Sequence, residues 1–179
     1  LSVGARILII GAGPVGLAVA ACAKLGGAGS VVVAARTDRR ADLAITMGAS
    51  EFMIADEKLG ENFARLAGGA PEIVVECAGA PGMMDLAAGL AAPRGRVVMA
   101  GACLQTETFL PIVATMKELT YQFAVCYTRQ EFALAEKLIA GRRIDPMPMF
   151  DGTVSLDELP KRFEELRTEK QACKVMLTP

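Results

Sequence analysis

The segment Arg6-Ile-Leu-Ile-Ile-Gly-Ala-Gly-Pro-Val-Gly16 constrains the fold of this chain more than any other stretch. An apolar strand runs into glycines at 11, 13 and 16 and then into a helical sequence, the order of a dinucleotide-binding turn. In that turn Gly11 permits the tight bend after the strand, Gly13 lets the backbone approach a pyrophosphate with no Cβ in the way, and Gly16 lets helix and strand pack closely. Pro14 suits a first helical turn, where a missing N–H costs nothing. The free amides and positive dipole end of the helix then face an anion without needing a charged side chain.

With 179 residues, 53% of them hydrophobic, the chain can bury a sizeable core. A net charge of −1 offers nothing basic enough to suggest nucleic acid as a partner. Its apolar runs, around Ile7 to Ile10 and Val31 to Ala35, break well before the roughly 18 residues of a membrane span. No charged region followed by an apolar one opens the sequence, so no signal peptide is read and a cytoplasmic protein is expected. The five cysteines, at 22, 77, 103, 126 and 173, are scattered and form no CxxC pair, which argues against a disulfide framework or a structural zinc site. Histidine, the commonest metal ligand and general base, does not occur. No residue is therefore assigned to catalysis or to a metal.

Short β-branched runs alternate with Ala/Leu-rich helical ones, the pattern of a parallel sheet covered on both faces. Six strands are predicted: Arg6 to Ile10, Ser30 to Ala35, Glu51 to Ile54, Ile73 to Cys77, Arg96 to Ala100 and Leu119 to Val125. Helices are predicted at Pro14 to Leu25, Arg39 to Met47, Leu59 to Ala67, Met83 to Leu90 and Gln130 to Ala140. The expected fold is α/β: a Rossmann-type, doubly wound, six-stranded parallel sheet with its ligand crevice at the carboxyl ends of the strands. Small residues dominate several of those ends, including Cys77-Ala78-Gly79 and Gly101-Ala102. They are read as room for a flat cofactor, against the alternative of tight strand-to-helix turns.

The second strand bears on which dinucleotide is held. An NAD site places an acid about twenty residues past the turn for the adenosine ribose, whereas an NADP site replaces the acid and brings in a cation. That position is Ala35, nineteen residues after Gly16, and Arg36 follows it. Arg36, with Arg39 or Arg40 from the next helix, can form charge-assisted hydrogen bonds to a 2′-phosphate. NADP is expected; Asp38, three positions late, keeps NAD open.

The chain also resembles a family. Gly-Ala-Gly-Pro-Val-Gly16, Leu43-Ala-Ile-Thr-Met-Gly-Ala49, Val75-Glu-Cys-Ala-Gly-Ala-Pro81, Gly95-Arg-Val-Val-Met-Ala-Gly101, Lys117-Glu-Leu-Thr120 and the ending Lys174-Val-Met-Leu-Thr178 are similar to motifs of zinc-type medium-chain alcohol dehydrogenases. Pro14 points to that branch rather than to the zinc-free quinone reductases. The resemblance implies that Gly11, Gly13, Pro14 and Val15 line the pyrophosphate, that Arg36 holds the adenosine end, and that Cys77, Ala78 and Gly79 lie near the nicotinamide ribose. It further implies that Gly101, Ala102 and Val125 approach the nicotinamide and that Lys174 reaches a cofactor phosphate.

Full members of that family carry a catalytic domain with a Cys/His/Glu-type zinc site, and this sequence opens almost on the first cofactor-domain strand. The expectation is a cofactor-binding half, residues 1–145, with a tail at 146–179 that would pack on a catalytic domain; it should bind nucleotide and turn over nothing. Zinc would belong to that other domain, and the substrate of the whole enzyme would be a small alcohol or ketone. Ser155-Leu-Asp-Glu158 reads as a capping box opening a helix from Leu156 to Leu166, followed by a closing strand from Lys174 to Leu177. The tail is expected to be flexible or repositioned, with amides less protected than the core's. The family pairs cofactor domains through the sixth strand, which implies a homodimer along Leu119 to Val125. Two alternatives remain, a free-standing nucleotide-sensing module and a zinc-independent reductase of the same superfamily.

Overall fold

The structure, a computed structural model, describes residues 2–169 and 172–179. Its centre is a parallel six-stranded sheet in the order β3-β2-β1-β4-β5-β6. The strands are β1 (Arg6–Ile10), β2 (Ser30–Ala35), β3 (Glu51–Ile54), β4 (Ile73–Glu76), β5 (Arg96–Met99) and β6 (Thr120–Phe123). Helices α1 (Pro14–Leu25), α2 (Ala41–Thr46), α3 (Leu59–Ala67), α4 (Met83–Leu90) and α5 (Pro111–Met116) connect them in order, and α6 (Arg129–Ala140) follows β6. The strand order reverses at β1, so the crevice between the turns after β1 and β4 is a topological switch point. None of the described helices is long and apolar enough to cross a membrane.

Alternation along the central strands sorts the core onto two faces. Ile7, Ile9, Val31, Val33 and Val75 pack with Leu17, Ala20 and Ala23 of α1 and Ala44 of α2. Leu8, Ile10, Val32, Ala34, Val74 and Val97 pack on the opposite face with Leu59 and Phe63 of α3 and Ala87 of α4. Leu59 and Phe63 stand four residues apart on one stripe of α3, which is why a short helix suffices to cover that face. Strands buried on both sides read as continuous apolar runs, and β1 and β2 do so because both faces are covered.

Several element boundaries differ from expectation. The Pro111–Met116 helix was not predicted, because Ile112, Val113 and Thr115 are β-branched; Pro111 at its first turn and the contacts of α5 with α4 override that preference. Helix α6 starts at Arg129, one residue early, because Thr128 and Glu131 form a reciprocal capping box. β6 spans only the middle of the predicted Leu119 to Val125 and is an edge strand, paired with β5 alone.

The tail adds β7 (Phe150–Ser155), α7 (Leu159–Glu169) and β8 (Lys174–Thr178). The unpredicted β7 pairs in parallel with β8, making a separate two-stranded sheet. Ser155 and Glu158 do bond, hydroxyl to carboxylate at 2.7 Å, but residues 156–158 form a turn and the helix begins at Leu159. The tail touches the body through buried Met149 and partly buried Cys173, both packed against the α1 face of the core. Its outer residues Leu156, Phe163, Met176 and Leu177 are exposed.

Candidate functional site

The three glycines of the first turn have three different environments. Gly11 has φ +112°, a region disfavoured for side chains, and an added Cβ would lie 3.0 Å from the Cys77 carbonyl carbon. Gly13 is the N-cap of α1; an added Cβ there meets nothing within 4 Å. Gly16 is buried, and a Cβ on it would run into the Gly11 carbonyl oxygen. No side chain caps α1, so the first amides of this twelve-residue helix are left for an external acceptor beside the open space at Gly13. Pro14 is at the first helical position and Val15 is exposed.

The ends of β4 and β5 interlock with that turn. Cys77 donates its amide to the Ile10 carbonyl at 2.8 Å, and the Gly101 amide reaches the Glu76 carbonyl at 2.8 Å. Gly79 has φ +65°, and a Cβ on it would lie 2.8 Å from the Ala102 carbonyl oxygen. Gly11, Gly79 and Gly101 thus each lie against the backbone of a neighbouring turn, and much of the small-residue pattern serves turn-to-turn contact. Burial, then the Glu76 charge, pushes the Cys77 thiol up to about 12, so it stays a protonated, inert thiol at neutral pH.

At the adenosine end Ala35 is partly buried at the end of β2, and Arg36 is exposed. Among the described residues no hydrogen bond or ion pair engages Arg36. Arg40 differs: its Nη1 donates to the Ala12 carbonyl at 3.0 Å and its Nη2 to the Ala172 carbonyl at 2.8 Å. That guanidinium ties the glycine turn to the tail. Lys174 opens β8 and shares the wall of an apolar cavity of about 710 Å³ with Pro14, Val15 and Val98. Val125 lies just past β6 and is exposed.

The residue that sequence reading missed is Glu76, the last of β4 and wholly buried. Its Oε1 accepts the amides of Ala78 at 2.6 Å and Gly79 at 2.8 Å. The available signal was an acid closing the otherwise apolar run Ile-Val-Val-Glu. Among the described residues no group of three His, Cys, Asp or Glu side chains is placed to hold a metal ion, so these residues offer zinc no ligand set.

The family model for zinc-binding dehydrogenases matches residues 14–141, from α1 to the end of α6. The chain belongs to the zinc-binding dehydrogenase family. A D-xylulose reductase of Scheffersomyces stipitis is 36% identical over 119 residues, covering 65% of this chain and 33% of that protein. The sorbitol dehydrogenase of Gallus gallus is 28% identical over 183 residues, covering 99% of this chain and 50% of that one. Among solved structures, alcohol dehydrogenase TADH from Thermus sp. ATN1 superposes with a TM-score of 0.90 at 27% identity, covering 99% of this chain and 52% of its own. A short chain alcohol dehydrogenase of E. coli CFT073, complexed with NADH, gives a TM-score of 0.90 at 26% identity, covering 98% and 52% of the two chains. The chain thus spans about half the length of these family members or less, and its own half has the doubly wound sheet they share.

Proposed function

We propose that this chain holds a nicotinamide dinucleotide along the carboxyl ends of β2, β1, β4 and β5, as the cofactor-binding half of an alcohol or polyol dehydrogenase. The observation that carries this reading is the uncapped N-terminus of α1 beside the open space at Gly13. Its amides, with the backbone of Gly11, Pro14 and Val15, would receive the pyrophosphate. Cys77, Ala78 and Gly79 would hold the nicotinamide ribose, with Gly101, Ala102 and Val125 at the ring and Lys174 reaching a phosphate. When bound, the nicotinamide supplies hydride transfer, and these residues hold and aim it. The partner in that chemistry would be a small alcohol or ketone carried by the rest of the enzyme. The five free thiols suit a reducing compartment and support a cytoplasmic setting.

NADP is favoured over NAD. A carboxylate at position 35 would repel a 2′-phosphate, and this chain has Ala35 there, with Arg36 exposed beside it. Arg40 supports the site from behind, since its guanidinium already serves two carbonyls. Titration with NADPH and NADH, followed by nicotinamide fluorescence, tests both points. NADPH is expected to bind more tightly, and Arg36→Asp to weaken it by about 10–100-fold, the loss of a charge-assisted contact, while NADH changes little. Preference for NADH would sink the Arg36 assignment, and binding of neither would sink the dinucleotide reading.

The exposed edge of β6 supports a homodimer. Phe123, Val125 and Tyr127 are 69%, 89% and 70% exposed along or just beyond it, and an unpaired apolar edge is a surface that proteins ordinarily cover. Sedimentation equilibrium is expected to show a dimer that Phe123→Pro converts to monomer: the amides of Thr120 and Ala124 donate toward β5, so by strand alternation that of Phe123 points to the free edge, where proline cannot donate to a ladder.

A further inference from the structure

We propose that Glu76 is a positioning residue for the nicotinamide end of the site: its buried carboxylate fixes the turn at residues 77–79 in the shape that receives the nicotinamide ribose. The proposal rests on the dinucleotide reading above. Glu76 has no exposed surface, and its Oε2 is a buried oxygen with no hydrogen-bond partner. An apolar residue would complete the strand without the cost of burying a carboxylate. What Glu76 provides instead is a hold on the backbone. Oε1 gathers the amides of Ala78 and Gly79, while its own carbonyl takes those of Ala100 and Gly101, each at 2.8 Å. One residue therefore links the turns after β4 and β5. The fit is tight enough to exclude a side chain at 101, where a Cβ would run into Oε2 and the Gly79 amide nitrogen. Gly11 rests on the Cys77 carbonyl of the same turn, so the hold extends to the first glycine turn.

Two measurements on Glu76→Leu and Glu76→Gln test this. Hydrogen exchange on the ligand-free chain should show the Ala78 and Gly79 amides accelerated about tenfold or more in Glu76→Leu relative to the change at Ile9 and Val32. Binding of NADPH should weaken about tenfold, while 2′,5′-ADP, which lacks the nicotinamide ribose, should weaken by less than about twofold. Glu76→Gln, which keeps one acceptor oxygen and the side-chain shape, should recover most of both effects, and Glu76→Met, which keeps the chain length and has no oxygen, replaces the leucine variant if that does not fold. Unaltered exchange at residues 78 and 79, or equal loss of both ligands, would overturn the proposal. Failure of the parent chain to bind NADPH would instead overturn the dinucleotide reading, and the ligand-free exchange result would still decide whether Glu76 holds the turn.

Discussion

Replacing Gly16 with valine is expected to remove a large part of the stability of this chain. Even the first atom of a side chain at 16 runs into the Gly11 carbonyl oxygen, and it would also lie 3.1 Å from the Gly11 carbonyl carbon and 3.3 Å from Ile9 Cγ2. The obstacle is mostly backbone, which cannot rotate away, so α1 must lift from the sheet and unpack Leu17 and Ala20, both fully buried. Overpacking of flexible side chains costs about 1–3 kcal/mol, and a backbone collision belongs above that range, at about 4 kcal/mol or more. Against a total of about 5–15 kcal/mol, the expected loss is about 8–16 °C in Tm. Gly13→Ala is the control. With φ −80° and nothing near its Cβ position, it should stay within about 1 kcal/mol of the parent in stability while losing dinucleotide affinity. Thermal unfolding of the two variants checks the pair, and equal Tm values would show that α1 is not held to the turn at Gly16.

Lys117→Met is the second substitution with a large expected cost. The Lys117 ammonium donates to three carbonyls at the end of α4, those of Ala88 at 2.9 Å, Gly89 at 2.6 Å and Ala91 at 2.8 Å. Helix α4 ends at Ala91 in an extended conformation, without a left-handed glycine to close it, so the ammonium serves as the cap. Burial lowers the Lys117 pKa, which shows that the ammonium gives up solvent to reach this place. Methionine fills the stem's volume and leaves the three carbonyls to water. Loss of a charged hydrogen-bond donor costs about 1.5–3 kcal/mol, or about 3–12 °C in Tm, read by thermal unfolding. Lys117→Arg should not rescue it, because a planar fork does not converge on three oxygens. A melting temperature unchanged by Lys117→Met would mean that desolvation cancels the three bonds.

Elements whose local and tertiary signals agree were legible in the sequence. β1 and β2 are uninterrupted apolar runs ending at glycine or a charge, and the sheet places them at its centre. β7 was not legible, because Phe-Asp-Gly-Thr-Val-Ser contains an acid and a glycine that weaken a strand; it is held by pairing with β8, some twenty residues away. The crevice at the strand ends was legible from the three glycines, but Glu76 was hidden in an apolar strand whose buried environment sequence does not show. Arg39 and Arg40, alike as neighbours in sequence, were separable only in three dimensions, where Arg39 is exposed and the Arg40 guanidinium meets carbonyls from both ends of the chain.

That last contact orders events during synthesis. Arg40 and Ala12 stand 28 residues apart and are made close together in time, and the neighbouring strands β1 and β2 follow each other closely enough to pair early. Ala172 lies 132 residues after Arg40, so the second half of the guanidinium fork stays unfilled until that later segment has been made. Closing so long a loop is slow and adds little until the tail is ready to dock. A nascent chain therefore holds a glycine turn with a half-committed arginine beside it, and anions have that interval in which to compete with the Ala172 carbonyl for the guanidinium.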